Sequence, residues 1–142
     1  MRIVLDSNIL VRSFARSQGL AHELILAILA SHHTLILSNE ILTEVARVLR
    51  YPRLLMAHGQ SEEAIYNFTG WLRDVAEVVA LSPLSLAPIR DRNDIFVLQT
   101  ALSAEADVLC TCDRDFFEPP ASTFLASVGI AVLNDERLIR KL

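Results

Sequence analysis

The sequence predicts an α/β fold with a central, mostly parallel sheet covered by helices on both faces. Two observations carry that expectation. Short apolar runs of strand length recur along the chain, at residues 2–5 (RIVL), Thr34–Leu37, Val78–Leu81, Asp107–Thr111 and Ile130–Leu133. Between them lie segments with helical spacing and helix-boundary residues, so strands and helices alternate.

The first run stops at Asp6, as a buried strand entering a loop would. Residues 20–31 place Leu20, Leu24, Ala27 and Ile28 at helical spacing. Ser38 or Asn39 caps a helix running to about Arg50, and Pro52 prevents its extension. Ser61 opens another helix with Glu62 and Glu63 in its first turn, where the helix dipole favours anions. Asn93 caps a helix through about Glu105, Pro119 and Pro120 mark a loop, and a short helix ends the chain. SPLSLAP (82–88) is the only linker-like segment and is too short to separate domains. The 142 residues suffice for one well-buried core and not for two, so a single domain over 1–142 is expected.

Composition narrows the function classes. Hydrophobic residues make up 52% of the chain and mean hydropathy is +0.37, which argues against disorder and is high for a lone soluble domain. The longest apolar run, Leu24–Ala30, falls far short of the ~20 residues a spanning helix needs. Cys110 and Cys112 are too close in sequence for an unstrained disulfide, and no histidine stands at zinc-ligand spacing from them. These features favour the cytoplasm and no membrane association. Net charge is −4, which at first argues against a nucleic-acid ligand. Yet 12 of the 13 basic residues are arginine, the better bidentate phosphate ligand.

The acids are informative by position, because ligands of open α/β sheets bind outside the carboxyl ends of the strands. Asp6 directly follows the first strand; Asp113 and Asp115 directly follow the strand ending at Thr111. Glu44 lies at the edge of the apolar stripe formed by Ile41, Leu42, Val45, Val48 and Leu49, whereas Glu40 is expected on the solvent face. Asp94 points into the apolar face of its helix, which is costly without a partner. Carboxylates converging on one point repel unless a cation lies between them, and oxygen-only ligands select Mg²⁺ or Mn²⁺. One such ion can activate a water while a second stabilises a leaving oxygen. A phosphatase using two aspartates two residues apart is excluded by Asn8, and no P-loop is present.

Four segments, VLDSNIL (4–10), SNEILTEVARVL (38–49), RDRNDIFVLQTAL (90–102) and ADVLCTCDRDF (106–116), together resemble the PIN-domain ribonucleases. The likeness is to the toxin-like branch related to VapC-type toxins and runs from residue 3 to about residue 135. It implies a PIN-like three-layer α/β/α fold and a metal-dependent endoribonuclease giving 5′-phosphate and 3′-hydroxyl ends. By this resemblance Asp6, Glu44, Asp94 and Asp113 form the acidic metal site, Asp115 supports a second metal, and Asn8 and Thr111 orient the carboxylates. DSN stands here for the more frequent DTN, Ile95 stands where many relatives carry another acid, and Arg92 stands where a proline is frequent.

Arg12, Arg16, Arg90, Arg92 and Arg114 lie close in sequence to the acid-bearing loops and are expected to neutralise RNA phosphates. Leu54, Leu55, Met56, Tyr66, Phe68 and Trp71 exceed what one helix face usually hides and suggest a patch covered by another chain. The resemblance supplies two occupants, a second copy (a homodimer) and the antitoxin of a toxin–antitoxin pair. The alternatives to a toxin are a catalytically silent PIN-like binding module and an RNA-processing nuclease without an antitoxin.

Overall fold

β1 (Arg2–Leu5) forms the centre of a five-stranded sheet because Ile3, Val4 and Leu5 are fully buried, as a strand covered on both faces requires. The remaining strands are β2 (Thr34–Ser38), β3 (Glu77–Val79), β4 (Val108–Cys110) and β5 (Ala131–Leu133). All pairings are parallel, in the order β3-β2-β1-β4-β5. The computed structural model describes residues 1–83 and 95–142, and helices flank the sheet in three layers as expected.

The order fixes where a ligand can enter. The chain leaves β1 toward β2 and β3, then returns across the sheet to β4 on the other side of β1. A crevice opens outside the carboxyl ends of β1 and β4, at this reversal of direction. Leu5 pairs with Cys110 there, and the Asp6 amide continues the ladder by donating to the Cys110 carbonyl at 2.9 Å.

Several elements differ from the expectation. Asp6 enters no loop: it is the N-cap of α1 (Ser7–Ala15), whose inner face holds Leu10 and Phe14 in the core. α2 (Leu20–Ala30) and α3 (Asn39–Val48) match their spacing, and the Ser38 hydroxyl accepts from the Ile41 amide as a cap. Pro52 does end the preceding helix, but it also starts α4 (Pro52–His58), since proline at the first helical position loses no hydrogen bond. Gly59 in left-handed geometry (φ 62°) stops α4, so the Leu54–Leu72 region is two helices, the second being α5 (Glu62–Val75) capped by Ser61. α6 (Ile95–Ser103) packs on β1, β2 and α3; the expected Asn93 cap lies outside the described residues. A 3-10 turn (Arg114–Phe117), α7 (Ala121–Ser127) and α8 (Asp135–Ile139) complete the chain. No helix among the described residues is long and apolar enough to cross a membrane.

Candidate active site

Thr111 is the hub of the crevice. It is the first residue past β4 and is fully buried. Its hydroxyl donates to Asp6 Oδ2 at 2.6 Å and accepts the backbone amide of Asp113 at 3.0 Å. Asn8, on the first turn of α1, donates from Nδ2 to the same Asp6 oxygen at 2.9 Å and lies 3.3 Å from Thr111 Oγ1. Asn8 Oδ1 faces the Cys112 amide at 3.5 Å. One oxygen of Asp6 is thereby held by groups from two chain segments 103 residues apart, while the other accepts from the Ser7 hydroxyl at 3.2 Å.

Asp6 is 2% exposed. Burial pushes its pKa up, the donors Thr111 and Ser7 pull it down, and the charge of Glu44 pushes it up again. The net effect is upward. Among the described residues no Lys, Arg or His lies within ion-pair distance of Asp6. A buried carboxylate with a second acid acting on it and no cation is an arrangement that protein interiors seldom keep without a compensating positive charge.

Glu44 reaches this region because α3 packs against α1. Its side chain is 20% exposed and lies 3.7 Å from Arg47 one turn on. Glu40, expected on the solvent face, is partly covered too, since residues four apart share a helix face. Asp113 caps the 3-10 turn, its Oδ1 accepting the Asp115 amide at 3.0 Å, and both acids are partly buried. Asp94, expected in the site, lies outside the described residues with Arg90 and Arg92; in sequence it immediately precedes the first residue of α6.

Two features of the crevice escaped the sequence reading. Asp135 directly follows β5 and its cap residue, at the same sheet edge as Asp6 and Asp113. The acid-after-a-strand signal that singles out those two was present for it as well. It is buried and accepts from Arg12 Nη2 at 2.9 Å, while Arg12 Nη1 donates to Cys112 Sγ at 2.9 Å. Arg12 thus ties α1 to the segment after β4 and to α8; it is itself exposed, as are Arg16 and Arg114. Burial and the neighbouring Asp135 raise the Cys112 pKa. The second feature is the buried contact of Thr100 Oγ1 with Ser38 Oγ at 2.8 Å, which docks α6 onto the end of β2.

Among the described residues no three His, Cys, Asp or Glu side chains converge closely enough to hold a metal ion on their own. The donor chemistry nevertheless fits a hard divalent cation: carboxylate oxygens at one sheet edge, with a buried anion that has no counter-charge beside it among the described residues.

Of the six apolar residues expected to form an exposed patch, two are exposed and four are not. Met56 and Tyr66 are 87% and 74% exposed, whereas Leu54, Leu55, Phe68 and Trp71 pack against the core. Between α1, α2 and α5 lies an open groove of about 280 Å³ with Phe14, Leu26, Phe68 and Trp71 among its walls.

Known structures share this architecture. A chain of the structure of VapBC2 from Rickettsia felis bound to a DNA fragment from their promoter is similar over 94% of this chain and 98% of its own, with TM-score 0.64 and 15% identity. A chain of VapBC-1 from nontypeable Haemophilus influenzae is similar over 96% and 99%, with TM-score 0.56 and 18% identity. No protein of curated function matches the sequence. The PIN domain family matches residues 2–115, a stretch that contains β1 to β4 and every acid of the proposed site. With that match over most of its length, and with Asp6, Asn8 and Thr111 joined at the crevice, the chain belongs to the PIN domain family.

Proposed function

We infer that the protein is a divalent-metal-dependent endoribonuclease and the toxin of a toxin–antitoxin pair. The observation that carries the reading is the buried Asp6 carboxylate, fixed by Thr111 and Asn8, under the charge of Glu44, and without a protein cation beside it among the described residues. Asp6, Asp94 and Asp113 would hold Mg²⁺ or Mn²⁺, with Glu44 completing the site and Asp115 supporting a second ion. The bound ion supplies Lewis acidity toward a phosphodiester and its attacking water.

The chain's own groups have separate tasks. Thr111 and Asn8 hold one oxygen of Asp6 so that its other oxygen keeps a fixed direction. Glu44 orients the water for in-line attack on phosphorus. The P–O3′ bond breaks, the water's oxygen stays on the 5′-phosphate, and a proton ends on the 3′-hydroxyl. Arg16 and Arg114, with Arg90 and Arg92, neutralise flanking phosphates, while Arg12 acts by holding Asp135 and Cys112. The exposed face of α4 and α5 and the apolar groove beside it suit a covering chain, an antitoxin or a second copy. The VapBC complexes among the similar folds support the antitoxin.

Incubating the purified protein with total RNA in Mg²⁺, Mn²⁺ or EDTA tests the reading. Cleavage requiring the metal and lost in Asp6→Asn is expected. Cleavage unchanged in EDTA would sink the metal mechanism, and no cleavage with no metal binding would leave a silent binding module.

A further inference from the structure

A second pocket adjoins the crevice, on the β5 side of β4. It has a volume of about 260 Å³ and is lined by Cys112, Arg114, Phe117, Asn134 and Arg137. That is below the roughly 300–1,000 Å³ of sites for whole small-molecule ligands, and it suits one unit of a longer strand. Its wall is continuous with the acidic site: the Cys112 amide faces Asn8, which in turn holds Asp6.

The lining has two chemistries side by side. Arg114 and Arg137 bring two guanidinium groups and the lining brings no carboxylate. Neither arginine is within ion-pair distance of an acid among the described residues. Asp135, the acid next to the pocket, is instead engaged by Arg12, which leaves the two pocket arginines for an outside anion. Phe117 supplies the apolar surface. Its neighbour Phe116 is fully buried and anchors the 3-10 turn, whereas Phe117 remains 37% exposed, an arrangement that holds an aromatic face at the surface on a fixed backbone. Asn134 is also fixed, because its Oδ1 caps α8 by accepting the Arg137 amide at 2.9 Å.

We propose that this pocket is a nucleotide subsite for single-stranded RNA, in which an unpaired base stacks on Phe117 while Arg114 and Arg137 hold an adjacent backbone phosphate. An aromatic face beside a pair of arginines is the combination that single-strand binding uses, since every base has a π-face and every nucleotide a phosphate. A base inside a duplex cannot present its face, so the subsite selects unpaired RNA. The assignment rests on the ribonuclease reading for its substrate, and it adds where the strand lies: it runs from the acids over Cys112 toward α8.

The test is fluorescence anisotropy with a labelled eight-nucleotide single-stranded RNA and a blunt duplex of the same sequence, in an Asp6→Asn background that does not cut. Phe117→Ala is expected to weaken single-strand binding roughly five-fold or more without changing its salt slope, and Phe117→Trp to restore it. Arg137→Ala is expected to reduce the salt slope by about 0.7. Thermal melts of each variant establish that it is folded, and the Trp rescue separates stacking from packing. Folded variants that bind like the parent would overturn the subsite and leave the nuclease reading intact. So would a duplex bound as tightly as the single strand, or a parent that binds no RNA. Losses as expected, in a protein whose wild type cuts no RNA with Mg²⁺ or Mn²⁺, would uphold the subsite and overturn the nuclease reading.

Discussion

Replacing Thr111 by valine keeps the shape of a fully buried side chain and removes one hydroxyl. That hydroxyl donates to the Asp6 carboxylate at 2.6 Å and accepts the Asp113 amide at 3.0 Å. A hydrogen bond to a charged group contributes about 1.5–3 kcal/mol, and an amide left without its acceptor costs about 1–3 kcal/mol. The Asp113 amide is only partly buried, so water recovers some of the second term. The expected loss is about 2–4 kcal/mol, a large part of a domain's usual 5–15 kcal/mol. Thr111→Ser is the control: it keeps the hydroxyl and loses a methyl worth about 1 kcal/mol. Urea titration reports both through the midpoint at constant slope. The hydrogen bond favours the charged form of Asp6, so its contribution is present above the Asp6 pKa and lost as pH falls through it. The gap between wild type and Thr111→Val therefore narrows on acidification. A valine variant as stable as the serine variant, or a gap independent of pH, would refute the hub.

Asp6→Asn should abolish metal-dependent cleavage and raise the melting temperature of the metal-free protein at neutral pH. The folded protein holds the Asp6 proton more tightly than the unfolded chain does, with a pKa raised from the ordinary 3.8. Wild type thus gains stability as pH falls through the raised value, and the advantage of Asn disappears there. Calorimetry across that range checks the sign. Mn²⁺ at about 100 times its Kd should stabilise wild type by about 2.7 kcal/mol and Asp6→Asn far less; equal shifts would place the metal elsewhere. Arg12→Ala strands the buried Asp135 and should cost about 1–3 kcal/mol. Adding Asp135→Asn should recover part of that loss, whereas additive losses would show the two are not coupled. Light scattering at micromolar concentration should show an assembly that Met56→Glu with Tyr66→Glu dissolves. A wild-type monomer with no co-purifying inhibitor would leave the α4–α5 face without the proposed partner.

Sequence alone determined what is decided locally. β1, β2 and the caps Ser38 and Ser61 were legible because a buried strand writes an apolar run, and a helix start needs a side-chain acceptor within three residues. Asp6 and Asp113 were legible because each follows such a strand. α1 was missed because SNILVRSFA starts directly at the strand end, with no loop residue to mark the change. α4 was missed because Pro52 reads as a stop more readily than as a helix start, and Gly59 ends α4 through a backbone angle that residue type only permits. Only the tertiary structure decided the order β3-β2-β1-β4-β5, which places the crevice between β1 and β4. The resemblance implied that Thr111 orients a carboxylate; the structure identified that carboxylate as Asp6, 105 residues away, and it alone brought Arg12 to Asp135 across 123 residues. The physical reason is that chain distance carries no information about such pairs: a hydroxyl and a carboxylate meet because two parallel strands end side by side, and that adjacency comes from packing the whole core.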